Sequence, residues 1–160
     1  MNKKKLVFIV IPTLFVVAIC FSLVIYHSDN LEKERTHRYL LEVYEKKEKL
    51  FQEVANFLEQ KESDLYIELY DNSEIRMVEG AKYSTVPLQD EDEMMALLAD
   101  ILIESDFIQI KKVNDAIWFV KSVSSGVEQG IVNKLDASNQ DVYYEILNPN
   151  WSYYEVYMEE

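Results

Sequence analysis

The chain is poor in the residues that most often carry chemistry or form phosphate-binding loops. Its 160 residues include one cysteine, two histidines and three isolated glycines. A single cysteine excludes a disulfide within the chain, and His27 and His37 alone make a histidine-based zinc site hard to build. Isolated glycines do not form the loops that hold phosphates or dinucleotides. We therefore expect neither a metal nor a cofactor.

Positive charge is scarce after residue 26. All 29 acidic residues, but only 13 of the 16 basic ones, lie beyond that point, which gives residues 27–160 a formal charge of −16. Such a surface repels the phosphates of nucleic acids and the head groups of anionic lipids. We therefore expect no nucleic-acid partner.

One long apolar run is present near the N-terminus, over residues 6–26, and it contains no charge. As a helix it would extend roughly 31 Å, which matches a hydrocarbon core of about 30 Å. Lys3, Lys4 and Lys5 precede it, and positive residues beside a first membrane helix stay cytoplasmic. We predict a cytoplasmic tail over 1–5, a single-pass transmembrane anchor over 6–26, and an extracytoplasmic remainder at the cell membrane.

Cys20 offers an alternative to this anchor. The sequence Val17-Ala18-Ile19-Cys20 resembles the sites at which bacterial lipoproteins are cut and acylated, although Ile19 replaces the small residue that is usual there. A cleaved signal peptide is a further alternative, but its apolar region is normally only about 7–15 residues long. All three alternatives place the rest of the chain outside the cytoplasm.

An extracytoplasmic helix is predicted over residues 27–62. No glycine or proline interrupts residues 31–61, and Lys47 is the one charge within an otherwise apolar stripe, which weakens a coiled-coil interpretation. The pattern favours a helix that packs on its own domain and leaves a parallel homodimer through residues 31–61 as an alternative. The stripe consists of Leu40, Val43, Tyr44, Leu50, Phe51, Val54, Phe57 and Leu58.

Residues 63–160 show short apolar and aromatic runs separated by polar turns, which is typical of strands. The acidic run of residues 90–93 is expected to cap a second helix over 94–103, with Asp90 and Glu93 at capping-box spacing. Residues 80–88 are expected to form a loop. Consecutive strands with short turns favour an antiparallel meander. The fold class is therefore α+β, with two helices on one face of a twisted antiparallel sheet. Strands are predicted over 65–70, 75–78, 107–110, 116–123, 127–134, 142–147 and 151–158.

The predicted strand over 116–123 carries the first tryptophan. Lys121 alternates onto the same face as Ile117 and Phe119, and a lysine indicates that this face has an exposed end. We therefore expect Trp118 and Val120 to point into the core.

The last predicted strand supplies the candidate binding site. Alternation places Trp151, Tyr153, Glu155 and Tyr157 on one face. Aromatic rings beside an acid can contact a basic peptide or stack on a sugar. An unpaired carboxylate in the middle of a buried face would be costly. We therefore predict that this face is partly wet and binds a partner, with an edge strand that packs its rings on neighbours as the alternative.

No catalytic motif accompanies these features, and no spacing singles out a pair of carboxylates. In type, a lysine-led anchor followed by a short acidic domain without disulfides resembles the many small surface proteins of Gram-positive bacteria. We expect a membrane-anchored, non-enzymatic binding or accessory module for a protein, peptide, glycan or other cell-wall component. A small surface hydrolase that uses paired carboxylates is the alternative.

Overall fold

A computed structural model describes residues 3–71, 74–87, 92–124, 126–134 and 142–158, with the side chains of the first helix described from Val16 onward. The chain divides into two compact units, Met1–Arg35 and Thr36–Glu160. The first helix, α1 (Lys3–Glu59), runs through both.

The predicted transmembrane anchor is wrong for the part of the chain that the structure describes, where no helix is long and apolar enough to cross a membrane. The predicted tail and the first part of the anchor, residues 1–15, lie outside the described side chains. The fold class is corrected to a long N-terminal helix that continues into an α+β domain.

Among the described residues, the second unit contains an eight-stranded antiparallel sheet. The strand order is β3-β2-β1-β4-β5-β6-β8-β7, so β3 and β7 are its two edges. The strands are β1 (Leu65–Asp71), β2 (Glu74–Glu79), β3 (Lys82–Pro87), β4 (Gln109–Val113), β5 (Ala116–Ser124), β6 (Val127–Asn133), β7 (Val142–Asn148) and β8 (Trp151–Tyr157).

Both helices pack on one side of this sheet, which we call the helix face. The second helix, α2 (Glu93–Ala99), continues into a π-helical turn, Asp100–Glu104. The stripe of α1 packs against the strands here, and the ring of Phe51 lies 4.9 Å from that of Phe119 and 6.1 Å from that of Trp151. We call the other side the open face, because no described helix covers it. The buried residues of α1 are Leu40, Tyr44, Phe51, Val54, Ala55 and Leu58.

Lys47 is the exception in the apolar stripe, and it coincides with a break in the helix. Its backbone has φ −123° and ψ 20° instead of helical values. The ammonium contacts the Asp100 carboxylate and lies 3.0 Å from Ser105 Oγ. A cation among apolar neighbours needs such partners, so Lys47 ties α1 to the turn that follows α2. The homodimer through residues 31–61 stays a prediction.

Strand β3 was expected to be a loop. Only Val86 in it is half-buried, so its sequence shows no apolar alternation.

At the second helix, the predicted cap Asp90 lies outside the described residues, and the Asp92 carboxylate accepts from the Met94 N–H at 2.8 Å.

The predicted facing of β5 is wrong for Trp118, whereas Val120 is buried as expected, at 1% exposed. Ile117 and Phe119 are fully buried on the helix face, whereas Trp118 lies half-buried on the open face. The pairing of β5 with β6 shifts between Val120 and Ser122. Lys121 does not mark an exposed face, since its ammonium lies 2.6 Å from the Asp106 carboxylate.

Candidate functional site

The predicted patch on β8 lies on the helix face, and half of it is inaccessible. Trp151 and Tyr153 are only 2% and 1% exposed. The Trp151 indole N–H donates to Gln52 Oε1 at 3.1 Å, and the Tyr153 ring packs on His37 at 4.3 Å between centroids. Binding by the remaining members, the half-buried Glu155 and the exposed Tyr157, stays a prediction.

Hydrogen bonds explain why a carboxylate is tolerated in the middle of this face. The Tyr153 hydroxyl donates to Glu155 Oε1 at 2.5 Å. Gln129 Nε2 donates to the Tyr153 hydroxyl at 2.7 Å and to Glu155 Oε1 at 3.1 Å. Burial and then the Glu155 carboxylate raise the pKa of Tyr153 well above its ordinary value. Gln129 lies on β6 directly opposite Glu155, a partner that the sequence of β8 alone could not show.

A second carboxylate lies near Glu155 on the helix face. Glu145 of β7 is opposite Tyr153, and Tyr143 is opposite Glu155, so the two acids are diagonal neighbours. Glu145 Oε2 lies 3.0 Å from His37 Nε2. His37 Nε2 has no hydrogen-bond partner in the described structure, so its approach to Glu145 is a contact without hydrogen-bond geometry.

The open face carries a hollow of about 340 Å³, which we call the Trp118 hollow. Its wall combines one indole and several aliphatic side chains with a single pair of opposite charges. The hollow is lined by residues of the five strands β4 to β8 and by Met158, which follows β8. They are Lys111, Val113, Trp118, Glu128, Val142, Val156 and Met158.

Tyr154 lies beside this hollow, fully buried beneath the open face. Its ring lies over Gly130, where an added Cβ would approach Tyr154 Cε1 to 2.8 Å and would also meet the Phe119 carbonyl. Trp118 stands perpendicular to the Tyr154 ring, with 4.7 Å between centroids. Gly130 is thus the residue that lets an aromatic ring lie flat on β6.

The charges in the hollow neutralise each other. Lys111 Nζ lies 2.7 and 3.0 Å from the two carboxylate oxygens of Glu128, and the two side chains are only 19% and 14% exposed. The Tyr154 hydroxyl also donates to Glu128, at 2.9 Å. Burial and then the Glu128 carboxylate raise the pKa of Tyr154 well above its ordinary value. The Lys111 ammonium lies 5.5 Å from the Trp118 ring centre.

A second hollow, of about 430 Å³, lies on the open face of β1–β3. It is lined by Tyr70, Arg76, Val78, Tyr83 and Thr85. Arg76 lies 4.7 Å from the Tyr70 ring centre and 3.0 Å from Glu68 Oε1. Here too, a cation is paired with an acid beside an aromatic ring.

Tyr66 lies in the sheet between a residue of one hollow and a residue of the other. It pairs with Val78 of β2 on one side and with Lys111 of β4 on the other. This surface was not predicted, because Trp118 was expected to lie in the core. The signal available was Gly130, since a glycine inside a strand often marks a close approach.

No described group of three or more His, Cys, Asp and Glu residues is arranged to hold a metal ion. Comparisons with protein-family models, with curated proteins and with solved structures found no match for the chain.

Proposed function

We propose that this protein is a non-enzymatic binding module that recognises a partner protein through the Trp118 hollow. The observation that carries the proposal is an apolar, aromatic hollow on a sheet face that no described helix covers. Sheets in α+β folds bury apolar side chains against another layer. Aromatic side chains left on an uncovered face are typical of interaction sites.

The chemistry of the hollow favours a protein segment over a sugar. Sugar recognition needs hydrogen-bonding groups that are free to meet hydroxyls. Here Glu128 already accepts from Lys111 through both carboxylate oxygens and from Tyr154, which occupies three of its roughly four acceptor positions. What remains is apolar contact with Trp118 and the aliphatic wall, which suits an apolar side chain inserted by a protein partner.

Photo-crosslinking tests this proposal. Met158 is 42% exposed at the hollow, so we replace it with benzoyl-phenylalanine in the full-length chain, expressed in its native cells. The matched control carries the same group at Lys46 of α1, whose side chain is 75% exposed. We expect a discrete adduct from position 158 only.

A second change makes the adduct specific to the hollow. Val113→Glu places another carboxylate in the wall, and covering this charge with an apolar side chain would be costly. The change should remove the adduct without changing the melting temperature by more than a few degrees. Equal adducts from both positions, or an adduct that survives Val113→Glu in a folded protein, would contradict the proposal.

We infer an extracytoplasmic location as part of this proposal, with acylation of Cys20 as the means of attachment. The motif that supports it is Val17-Ala18-Ile19-Cys20, and Cys20 is exposed. Metabolic labelling with an alkyne fatty acid should label the wild-type chain and not Cys20→Ala. Equal labelling of both chains, or of neither, would overturn the attachment.

Glu145 and Glu155 favour a second candidate function, a hydrolase. The backbone positions of diagonal neighbours on adjacent strands are roughly 7–8 Å apart, which allows their carboxylates to reach the roughly 6.5–9.5 Å separation of glycosidases that act with inversion. Incubation with cell-wall glycan decides this alternative. Release of reducing ends that is lost in both Glu145→Gln and Glu155→Gln would support it, and no release by the wild-type chain would exclude it for that substrate.

A further inference from the structure

The edge strand β7 borders the Trp118 hollow. Val142, its first residue, lines the hollow, and β7 is the last strand in the order of the sheet. One side of its backbone is therefore unpaired among the described strands. An unpaired edge is a template to which another strand can add through main-chain hydrogen bonds.

β7 lacks the lysine and proline of the opposite edge, and its own protection is limited to one charge, Glu145, and an irregular pairing between Ile146 and Asn148. The opposite edge, β3, contains Lys82 and Pro87, and both residue types discourage pairing. β7 contains no lysine, arginine or proline. Three of its side chains are large, apolar and exposed, with Tyr143, Tyr144 and Ile146 at 56%, 37% and 69%.

The two sides of β7 differ in chemistry. Val142, Tyr144 and Ile146 lie on the open face, because they pair with residues of β8 that point to that side. All three are apolar. On the helix face lie Tyr143 and Glu145, with Glu155 of β8 behind them. A strand added to this edge alternates its side chains between the two faces.

We propose that the partner binds as an extended strand added to β7, with apolar residues toward the open face and basic residues toward the helix face. The proposal rests on the proposed function and names the chemistry of its partner. Charge complementarity selects this occupant over a second copy of the chain. Residues 27–160 have a formal charge of −16, so two copies repel each other whereas a basic segment is attracted.

The test uses a fluorescent heptapeptide in which lysine and isoleucine alternate, matching the seven residues of β7. Three peptides of related composition are controls. The first is N-methylated at every residue, so it keeps its charge and side chains but cannot donate a backbone hydrogen bond along either edge. The second has the same residues in blocks, and the third replaces lysine with glutamate. Fluorescence anisotropy with the full-length chain measures affinity.

We expect saturable binding of the alternating peptide, and binding at least about tenfold weaker for each control. Ile146→Lys should weaken binding by about tenfold as well, because it adds a like charge beside the peptide. Tyr83→Lys on the other edge is the matched variant. Tyr83 is 79% exposed, and its substitution should leave affinity unchanged. Both substitutions are at exposed positions, so both proteins should melt as the wild type does.

Each other outcome is decisive. Binding that is insensitive to N-methylation or to Ile146→Lys would overturn strand addition, and so would equal binding of the glutamate peptide. Concentration-dependent dimers that are lost in Ile146→Lys would show that a second copy is the occupant. If the peptide does not bind but the adduct at position 158 forms, strand addition fails while the proposed function stands. If neither is observed, both fail.

Discussion

The two tryptophans have different environments, and their substitution should separate the two faces. Trp151 is 2% exposed among Tyr44, Phe51 and Phe119, whereas Trp118 is half-buried on the open face. Trp151→Ala should lower the free energy of unfolding by about 3–5 kcal/mol, and Trp118→Ala by about 1–2 kcal/mol. Urea denaturation followed by circular dichroism measures both. Equal losses would mean that Trp118 belongs to the core.

Tyr154 gives the folded protein a dependence on alkaline pH. Its pKa is raised well above 10 by burial and then by the Glu128 carboxylate. Above pH 10 the unfolded chain releases the proton while the folded chain keeps it, so this contribution is fully present below pH 10 and falls as pH rises. The loss is about 1.4 kcal/mol per pH unit.

Tyr154→Phe isolates this effect. We expect the variant's free energy of unfolding to fall less steeply than that of the wild type between about pH 10 and about pH 11.5, by about that slope. Urea denaturation over this range, with the wild type measured in parallel, supplies the comparison. Identical slopes would show that Tyr154 ionises normally in the folded state.

The wrong predictions of which face is exposed came from polar residues. Their partners lie far along the chain. Lys121 suggested an exposed face until its contact with Asp106 was known. Glu155 suggested a wet face until Gln129 and the Tyr153 hydroxyl were found beside it. Alternation correctly shows which residues share a face, but it does not show which face is covered. That choice depends on contacts made across the whole sheet.

At the scale of elements, strands were located well where apolar alternation was strong and turns were short. The strand predicted over 116–123 is Ala116–Ser124, and that over 151–158 is Trp151–Tyr157. β3 was not predicted because it buries almost nothing. A strand held mainly by backbone pairing shows no alternation of apolar and polar side chains. The Trp118 hollow could not be predicted, because it assembles side chains from β4 to β8.

β5, β6 and β8 approach closely because Gly130 has no side chain. Gly130→Ala should lower the free energy of unfolding by about 1–3 kcal/mol, because a Cβ would meet the Phe119 carbonyl and the Tyr154 ring. Gly80→Ala is the comparison, since no atom lies within 4 Å of its Cβ position and only its φ of +55° opposes the change. Chemical denaturation should show the larger loss for Gly130→Ala, and the reverse order would contradict this packing.

On the scale of the whole molecule, the second unit contains a core of its own. The buried cluster of the helix face starts at Leu40, inside the unit Thr36–Glu160. We therefore expect a chain that starts at Thr36 to fold cooperatively, with a melting temperature within a few degrees of that of the full chain. Calorimetry of both chains checks this. A broad, non-cooperative transition in the shorter chain would show that residues before Thr36 are needed for folding.

The weakly protected edge of β7 also affects how this protein behaves in concentrated solution. At neutral pH the net charge of −13 keeps molecules apart. This repulsion hinders pairing at the β7 edge, as lysine and proline do at β3. Near the isoelectric point of about 4.6 the repulsion vanishes while the edge remains. Solubility should therefore reach its minimum there, and the precipitate should consist of sheets joined edge to edge.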